Sequence, residues 1–185
     1  MKNDANFTFL DVTAPFVAAT GPDSGATIGK IKYDYVFHSG NYMMSTLSKK
    51  VCVLGNAVLY VTDSISFNGK DSIYVDTGAS LTIYMGGLLA YFNSAVNPNS
   101  TAKSLTYYGL PNNQLLVLTG QANMSGNFYA PNAAVIMNGS SDLQGRIVAK
   151  SATLSGSSAF HFDEALGSVT NATSGNFKIT SWNEL

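Results

Sequence analysis

Hydrophobic and polar positions alternate over short runs along most of the chain, and helical periodicity is nearly absent. Residues 57–61, 64–67, 72–75 and 80–84 are rich in β-branched and aromatic side chains and are bounded by Gly, Asn or Asp. Alternation with a period of two, interrupted by turn-forming residues, is typical of strands that bury one face. The pattern predicts an all-β chain.

An internal repeat indicates how these strands are arranged. A shift of 19 residues superposes residues 115–133 on 134–152, with Gly126 falling on Gly145. Residues 57–62 repeat more loosely at 79–84, a shift of 22. A period of about 20 residues without helical pattern suits one coil of a parallel solenoid. The sequence therefore predicts a single-stranded right-handed β-helix with coils of about 19–22 residues, with a β-sandwich as the alternative.

The same shift predicts which side chains share the interior. Equivalent positions of successive repeats should lie one above another, because strands stack about 4.8 Å apart. Two interior columns are expected, one of Leu116, Val135 and Leu154 and one of Met124, Leu143 and Phe162.

The chain is expected to form one domain over residues 1–185. An N-terminal strand at 7–12 and a turn-rich loop would occupy residues 1–30, followed by the main stack at 31–166. Residues 93–103 are polar and turn-rich and predict a loop inserted into the stack. Residues 167–185 would form a C-terminal tail or strand.

Composition narrows the functional classes. Charged residues make up 11% of the chain, the net charge is −1, and Arg146 is the single arginine. Nucleic-acid binding depends on clustered cations, so that class is excluded. The chain contains 21 Ser, 17 Asn and 15 Thr, a composition typical of exported, strand-rich surface proteins. The lone Cys52, between valines, is expected to be a buried structural residue.

The ends of the chain bear on location. The first residues have no apolar signal region, and no stretch approaches the roughly 20 apolar residues of a membrane-spanning helix. We expect no membrane insertion by this segment and an extracellular or cell-surface location, with the export segment absent from this chain.

The 19-residue shift also aligns polar side chains on the outer surface. Asn123, Asp142 and His161 would form one outward column, and Ser125, Gln144 and Asp163 a second. Imidazole and carboxylate groups can bind a sugar or a metal ion, so these columns predict a candidate ligand-binding site. The other interpretation, which the sequence favours, is a structural cap on the last coil. The candidate residues are Asp142, His161 and Asp163.

Two strings in the second half resemble an uncharacterised bacterial domain family. The resemblance covers residues 7 to 166, and its most specific parts are Tyr129-Ala130-Pro131-Asn132 and Phe160-His161-Phe162-Asp163-Glu164-Ala165-Leu166. It implies a β-helical domain of exported or surface-anchored proteins, often downstream of a pilin-like N-terminus. The resemblance brings no activity and no catalytic residues.

Together these observations predict a non-catalytic structural or adhesive module of a bacterial surface protein. We expect no enzymatic activity, no catalytic residues, no metal and no cofactor. The partner would be a surface glycan, a protein or a second copy that meets the ends of the stack. The alternative is a carbohydrate-binding or carbohydrate-active β-helix.

Overall fold

The computed structural model describes residues 9–98, 101–164 and 166, and their regular structure is almost entirely β-strand. A short 3-10 helix spans Ala102–Ser104. The all-β prediction is confirmed. In this part of the chain no helix has the length and apolar character needed to cross a bilayer. The predicted tail at 167–185 lies outside the described residues, as do residues 7 and 8 of the predicted N-terminal strand, and residues 9–12 form no strand.

In chain order the strands are β1 (Asp23–Ser24), β2 (Thr27–Ile28), β3 (Ile31–Lys32), β4 (Tyr35–Phe37), β5 (Gly40–Leu47), β6 (Lys50–Val53), β7 (Asn56–Phe67), β8 (Ser72–Val75), β9 (Ser80–Met85), β10 (Leu89–Phe92), β11 (Leu105–Gly109), β12 (Leu115–Leu118), β13 (Asn123–Met137), β14 (Asp142–Leu154) and β15 (Ala159–Phe162).

Six parallel strands close into a ring, which gives the protein a closed parallel β-barrel. Around the ring, β7 pairs with β9, β9 with β11, β11 with β13, β13 with β12, β12 with β10, and β10 with β7. Closure depends on β7 and β13, because each of these long strands pairs with different neighbours along its two halves.

Further strands extend this barrel on both sides. β5 pairs with β7, β14 pairs with β13, and β15 pairs with β14, all in parallel. A four-stranded sheet has the order β1-β4-β6-β8, in which β1 is antiparallel to β4. The strands β2 and β3 form a separate antiparallel pair.

The prediction of a single-stranded β-helix, or solenoid, is wrong, because the strand pairing closes on itself. The β-sandwich alternative is not found either, since the pairs around the ring are parallel rather than antiparallel. The repeat indicated parallel pairing but carried no information on where strands continue through a bend. The sequence pattern divides residues 57–67 into two strands, whereas β7 runs through them as one strand of 12 residues.

The offset between paired residues varies along the chain. In the first half Ala57 pairs with Leu81, an offset of 24 rather than the expected 22. In the second half the offset of 19 is confirmed where Gly126 pairs with Gly145. Beyond a register shift between Ala130 and Ala134, the offset falls to 17. Such a bulge places extra residues on one strand of a pair, so a fixed repeat length cannot persist past it.

This shift corrects the third member of each predicted interior column. Leu116 does pair with Val135, and Met124 does pair with Leu143. However, Leu154 pairs with Met137, so it does not continue the Val135 column. The position next to Leu143 is taken by Phe160 instead of the predicted Phe162.

The two ends of the strand stack differ. At the first end, β1 runs antiparallel along β4, and Thr20 bridges to Tyr42 in β5. The interior side chains of this first layer, including Phe37 and Leu47, are fully buried. An antiparallel strand laid along a parallel edge blocks further parallel pairing. At the first end the chain itself therefore covers part of the strand edges and all of these interior side chains.

An N-terminal strap, residues 9–20, crosses the outer face of the barrel. It passes over a tyrosine ladder formed by partners on successive strands, Tyr60, Tyr84, Tyr108 and Tyr129. The ring of Phe9 lies 6.4 Å from that of Tyr129, and the Tyr129 hydroxyl donates a 2.8 Å hydrogen bond to the Leu10 carbonyl oxygen. Phe16 lies 6.3 Å from Tyr60. The strap therefore touches both ends of the ladder.

Candidate functional site

A cleft of about 510 Å³ lies beside the last strands of the stack. One wall is formed by the 3-10 helix and the residue before it, and the floor by outward positions of β13 and β14. β15 and the residue after it complete the site. Its lining includes Lys103, Ser125, Gln144, His161, Phe162 and Asp163.

The floor of the cleft is a polar ladder of three side chains on adjacent strands. Ser125 in β13 pairs with Gln144 in β14, and Gln144 pairs with His161 in β15. The sequence placed Asp163 beside Gln144 and His161 beside Asp142, two residues out of register. The offset between β14 and β15 is 17 rather than 19, so Asp142 lies opposite Ala159. The two predicted outward columns are therefore wrong in their third members, His161 and Asp163.

His161 nevertheless contacts Asp142. The distance between His161 Nε2 and Asp142 Oδ1 is 3.5 Å, which is an ion-pair distance when the imidazole is protonated. Contact is possible because diagonal partners on neighbouring strands lie within reach of long side chains. Asp142 Oδ1 is buried and accepts no hydrogen bond from the described residues. The pair joins β14 to β15, which is compatible with either the cap or the ligand role.

Two of the three predicted site residues line the cleft, and the third does not. His161 and Asp163 line the cleft, whereas Asp142 does not and contacts His161 from outside it. The backbone nitrogen of Asp163 donates to the Gly145 carbonyl oxygen at 3.0 Å, which fixes this residue at the end of β15. Among the described residues, no three His, Cys, Asp or Glu side chains are grouped as a metal site.

The wall of the cleft was missed by the sequence interpretation, which treated residues 93–103 as an inserted loop. Asn97 is buried in this segment, and its side-chain nitrogen donates to the Ser125 carbonyl oxygen at 2.9 Å and to the Thr101 carbonyl oxygen at 3.2 Å. Asn97 has φ of +54°, a conformation that Asn tolerates better than most residues. The Asn97-Pro98 dipeptide is the signal that could have indicated a folded turn here.

An apolar surface lies next to the cleft, at the end of the stack formed by β14 and β15. Val135 and Met137 in β13 are buried, but Leu154, the partner of Met137, is 49% exposed. In β15, Phe160 and Phe162 are 38% and 58% exposed. We call this the open end, because inward-facing positions of the last layer have no described residue over them.

Cys52 lies far from both features, in β6. It is fully buried, as the sequence predicts. Burial raises the pKa of its thiol, and the Asp76 carboxylate raises it further. A protonated, buried thiol behaves as a small hydrophobic group rather than as a nucleophile.

Residues 19–169 match the family model described as a domain of unknown function, DUF7305. The chain belongs to the DUF7305 family. The matched range begins at the end of the N-terminal strap and takes in all fifteen strands, the cleft and the open end of this DUF7305 domain. No curated protein and no solved structure gives a significant match. The resemblance to an uncharacterised domain family is thus confirmed at the level of family.

Proposed function

We propose that this DUF7305 domain is a non-catalytic structural or adhesive module of a bacterial surface or extracellular protein, and that two copies associate through their open ends. The location rests on the composition, in which uncharged Ser, Thr and Asn replace most charges, and on the sequence resemblance described above. The association rests on one observation, the exposure of inward-facing side chains in the last layer of the stack.

The open end combines an apolar surface with a strand edge along which none of the described residues pairs. β14 pairs with β13 along most of its length, but only residues 142–145 pair with β15 on the other side. The remaining residues of β14, 146–154, have no described strand along that second edge. Free backbone edges and exposed apolar side chains both favour association with another chain.

The second copy is expected to meet this end with the same end of its own. Head-to-tail stacking would require matching edges at both ends, whereas at the first end β1 covers β4, Thr20 bridges to β5, and the interior side chains Phe37 and Leu47 are already buried. A like-to-like contact has two-fold symmetry, in which each surface element meets its equivalent. Two equivalent edge strands related in this way run antiparallel and can form a regular hydrogen-bonded ladder.

Charge at the open end is compatible with this pairing. Lys150 on β14 and Glu164 just after β15 are both exposed, so the end carries charges of both signs. In an antiparallel pair, a cation of one copy can face a carboxylate of the other. A surface of one sign would instead repel its copy.

Sedimentation velocity over a range of protein concentrations tests the association. The wild-type domain should shift from monomer to dimer as concentration rises. Leu154→Lys places a charge on the open end and should remain monomeric at the same concentrations. Leu88→Lys is the matched control, because Leu88 is also an exposed leucine but precedes the middle strand β10. A wild-type monomer throughout, or dissociation of both variants, would overturn the proposal.

A carbohydrate-active enzyme is the rival class. Release of reducing sugar from any polysaccharide, by wild-type protein and not by a heat-denatured sample, would contradict the non-catalytic part of the proposal. If the domain binds a polysaccharide in a binding assay, we expect it to release no reducing sugar from that polysaccharide.

A further inference from the structure

We propose that Tyr84 and Tyr108 form a site of oxidative cross-linking, in which a peroxidase using hydrogen peroxide joins their two rings and so ties β9 to β11. The pair occupies the middle of the tyrosine ladder on the outer face of the barrel. This proposal goes beyond the structural role above and does not depend on dimer formation. It rests on the register of the two strands, the stacking of the rings and the access of the phenol groups to solvent.

The register holds the two rings beside each other. Tyr84 pairs with Tyr108 in the parallel ladder between β9 and β11, so both side chains leave the same face of the sheet, from backbones about 4.8 Å apart. Their ring centroids are 5.1 Å apart, and the ring planes are inclined by 30°. This arrangement is close to offset stacking, in which one ring lies against the face of the other. The carbons that would be joined are therefore neighbours in the folded protein.

The other rings of the ladder are less suited to joining. Tyr108 and Tyr129 are 6.3 Å apart with planes inclined by 65°, which is an edge contact. The Tyr129 hydroxyl group is also bonded to the strap. The ring of Tyr60 makes an edge contact with Phe16 of the strap, at 6.3 Å and 79°. The central pair of the ladder thus has the closest and most nearly parallel rings.

The phenol groups of the central pair can be reached by an oxidant. Both side chains are partly exposed. Neither phenol oxygen is hydrogen-bonded to a described residue, and neither is a buried oxygen without a partner, so both reach solvent. The Tyr107 hydroxyl group, in contrast, is enclosed in the barrel. Burial raises the pKa of the Tyr84 phenol, and the Tyr108 phenol raises it further, as expected for two hydroxyl groups that lie close together.

The reaction is a two-electron oxidation of the pair. Each phenol gives one electron and one proton to the oxidant, which leaves a phenoxyl radical on each ring. The two radicals couple through a carbon adjacent to the one that bears oxygen, and the hydrogen on each coupled carbon then moves to its own oxygen, which restores both phenols. One molecule of hydrogen peroxide takes up the two hydrogen atoms and becomes two molecules of water.

A bond at this position would brace the barrel. The sequence contains one cysteine, Cys52, so no disulfide can form within the chain. A bond between Tyr84 and Tyr108 would connect two strands of the ring that are 24 residues apart in sequence. A cross-link of this kind restricts the unfolded chain and thereby favours the folded state, as a disulfide does.

The test treats the full chain with hydrogen peroxide and a peroxidase, at a concentration where sedimentation velocity shows monomer. Trypsin cleaves after Lys70, Lys103 and Arg146, which places the two tyrosines on separate fragments, 71–103 and 104–146. Mass spectrometry should find these fragments joined, with the loss of two hydrogen atoms. Joined fragments should be absent from Tyr84→Phe and from Tyr108→Phe, because phenylalanine has no phenol to oxidise.

Tyr91→Phe is the matched control, because Tyr91 lies on the same tryptic fragment as Tyr84 but pairs with Ser66 and Val117. It should give the same yield of joined fragments as the wild type. The cross-linked protein should also melt at a higher temperature than the untreated protein. Absence of joined fragments from the wild type, their persistence in either Tyr84→Phe or Tyr108→Phe, their loss in Tyr91→Phe, or an unchanged melting temperature would each overturn the proposal.

Discussion

The hydroxyl group of Tyr107 donates a 2.8 Å hydrogen bond to Asn113 Oδ1, and both residues are buried inside the barrel. The Asn113 amide nitrogen in turn donates to the Leu88 carbonyl oxygen at 3.2 Å. Asn113 thus connects β11 to the segment that enters β10. A buried polar pair of this kind is stable only while every member keeps its partner.

Substitutions of Tyr107 and of Asn113 should lower the free energy of unfolding by different amounts. Tyr107→Phe deletes one donor and should lower the free energy of unfolding by about 1 kcal/mol. Asn113→Ala leaves the buried Tyr107 hydroxyl without its acceptor and removes the amide's hydrogen bonds to the Gly87 and Leu88 carbonyl oxygens, and should cost about 3 kcal/mol. Urea denaturation measures both. Tyr91→Phe, at a half-exposed position of β10, is the control and should change stability by less than about 0.5 kcal/mol. A smaller cost for Asn113→Ala than for Tyr107→Phe would contradict this account.

Tyr107 also predicts a loss of stability at alkaline pH. Burial raises the pKa of its phenol far above the ordinary value of 10.0, and the Asn113 hydrogen bond only partly opposes this. Above that ordinary value the unfolded chain releases the phenolic proton while the folded chain keeps it. The stabilisation is therefore fully present below about pH 10 and declines as pH rises toward the folded-state pKa.

Unfolding free energies measured from about pH 9 to about pH 11 test this dependence. Above pH 10, the wild type should lose up to about 1.4 kcal/mol per pH unit more than Tyr107→Phe does. If the free energy of unfolding fell equally steeply with pH in both proteins, the Tyr107 phenol would have an ordinary pKa in the folded state, which would contradict this prediction.

The glycine pair of β13 and β14 predicts a strict requirement at one position. Gly145 has φ of +143°, and a Cβ built on it would lie 1.8 Å from the Gly126 carbonyl oxygen. Gly145→Ala would have to separate two paired strands and should cost more than about 3 kcal/mol. Gly21→Ala is the control, because no atom lies within 4 Å of its Cβ position. Thermal denaturation compares them, and similar melting temperatures would show that the strands tolerate the side chain.

The N-terminal strap should be held mainly by its contacts with the ends of the tyrosine ladder. Phe16→Ala removes the contact with Tyr60, and Tyr129→Phe removes the hydrogen bond to Leu10. Each should speed hydrogen exchange or proteolysis within residues 9–20 while the barrel stays folded. Val17→Ala is the control, since Val17 is 94% exposed. Unchanged exchange in both variants would show that other contacts hold the strap.

The sequence predicted the type of secondary structure and much of the local pairing, because both follow from side-chain alternation. Gly126 beside Gly145 and Met124 beside Leu143 are pairs that a 19-residue shift identifies. The tyrosines carry a second signal of the pairing. Tyr60, Tyr84 and Tyr108 are evenly spaced in the sequence, and their spacing equals the 24-residue offset between β7, β9 and β11.

Closure of the barrel and the last rung of the site could not be predicted in the same way. Closure depends on β7 and β13 continuing through bends, which the turn-forming residues of the sequence did not indicate. His161 lies beside Gln144 because a bulge and a shorter connection remove two residues from the repeat. His161 still contacts Asp142, as the sequence predicted, because diagonal neighbours on adjacent strands can also touch.

Hydrogen exchange of residues 146–154 at low and high protein concentration tests the central claim most directly, because no described strand pairs along the outer edge of this part of β14. Association of open ends predicts that their exchange slows as concentration rises, while exchange in the buried strand β9 stays constant. In Leu154→Lys the rates should be independent of concentration. Wild-type exchange at 146–154 that is equally fast, or equally slow, at every concentration would contradict the claim that this edge pairs with a second copy.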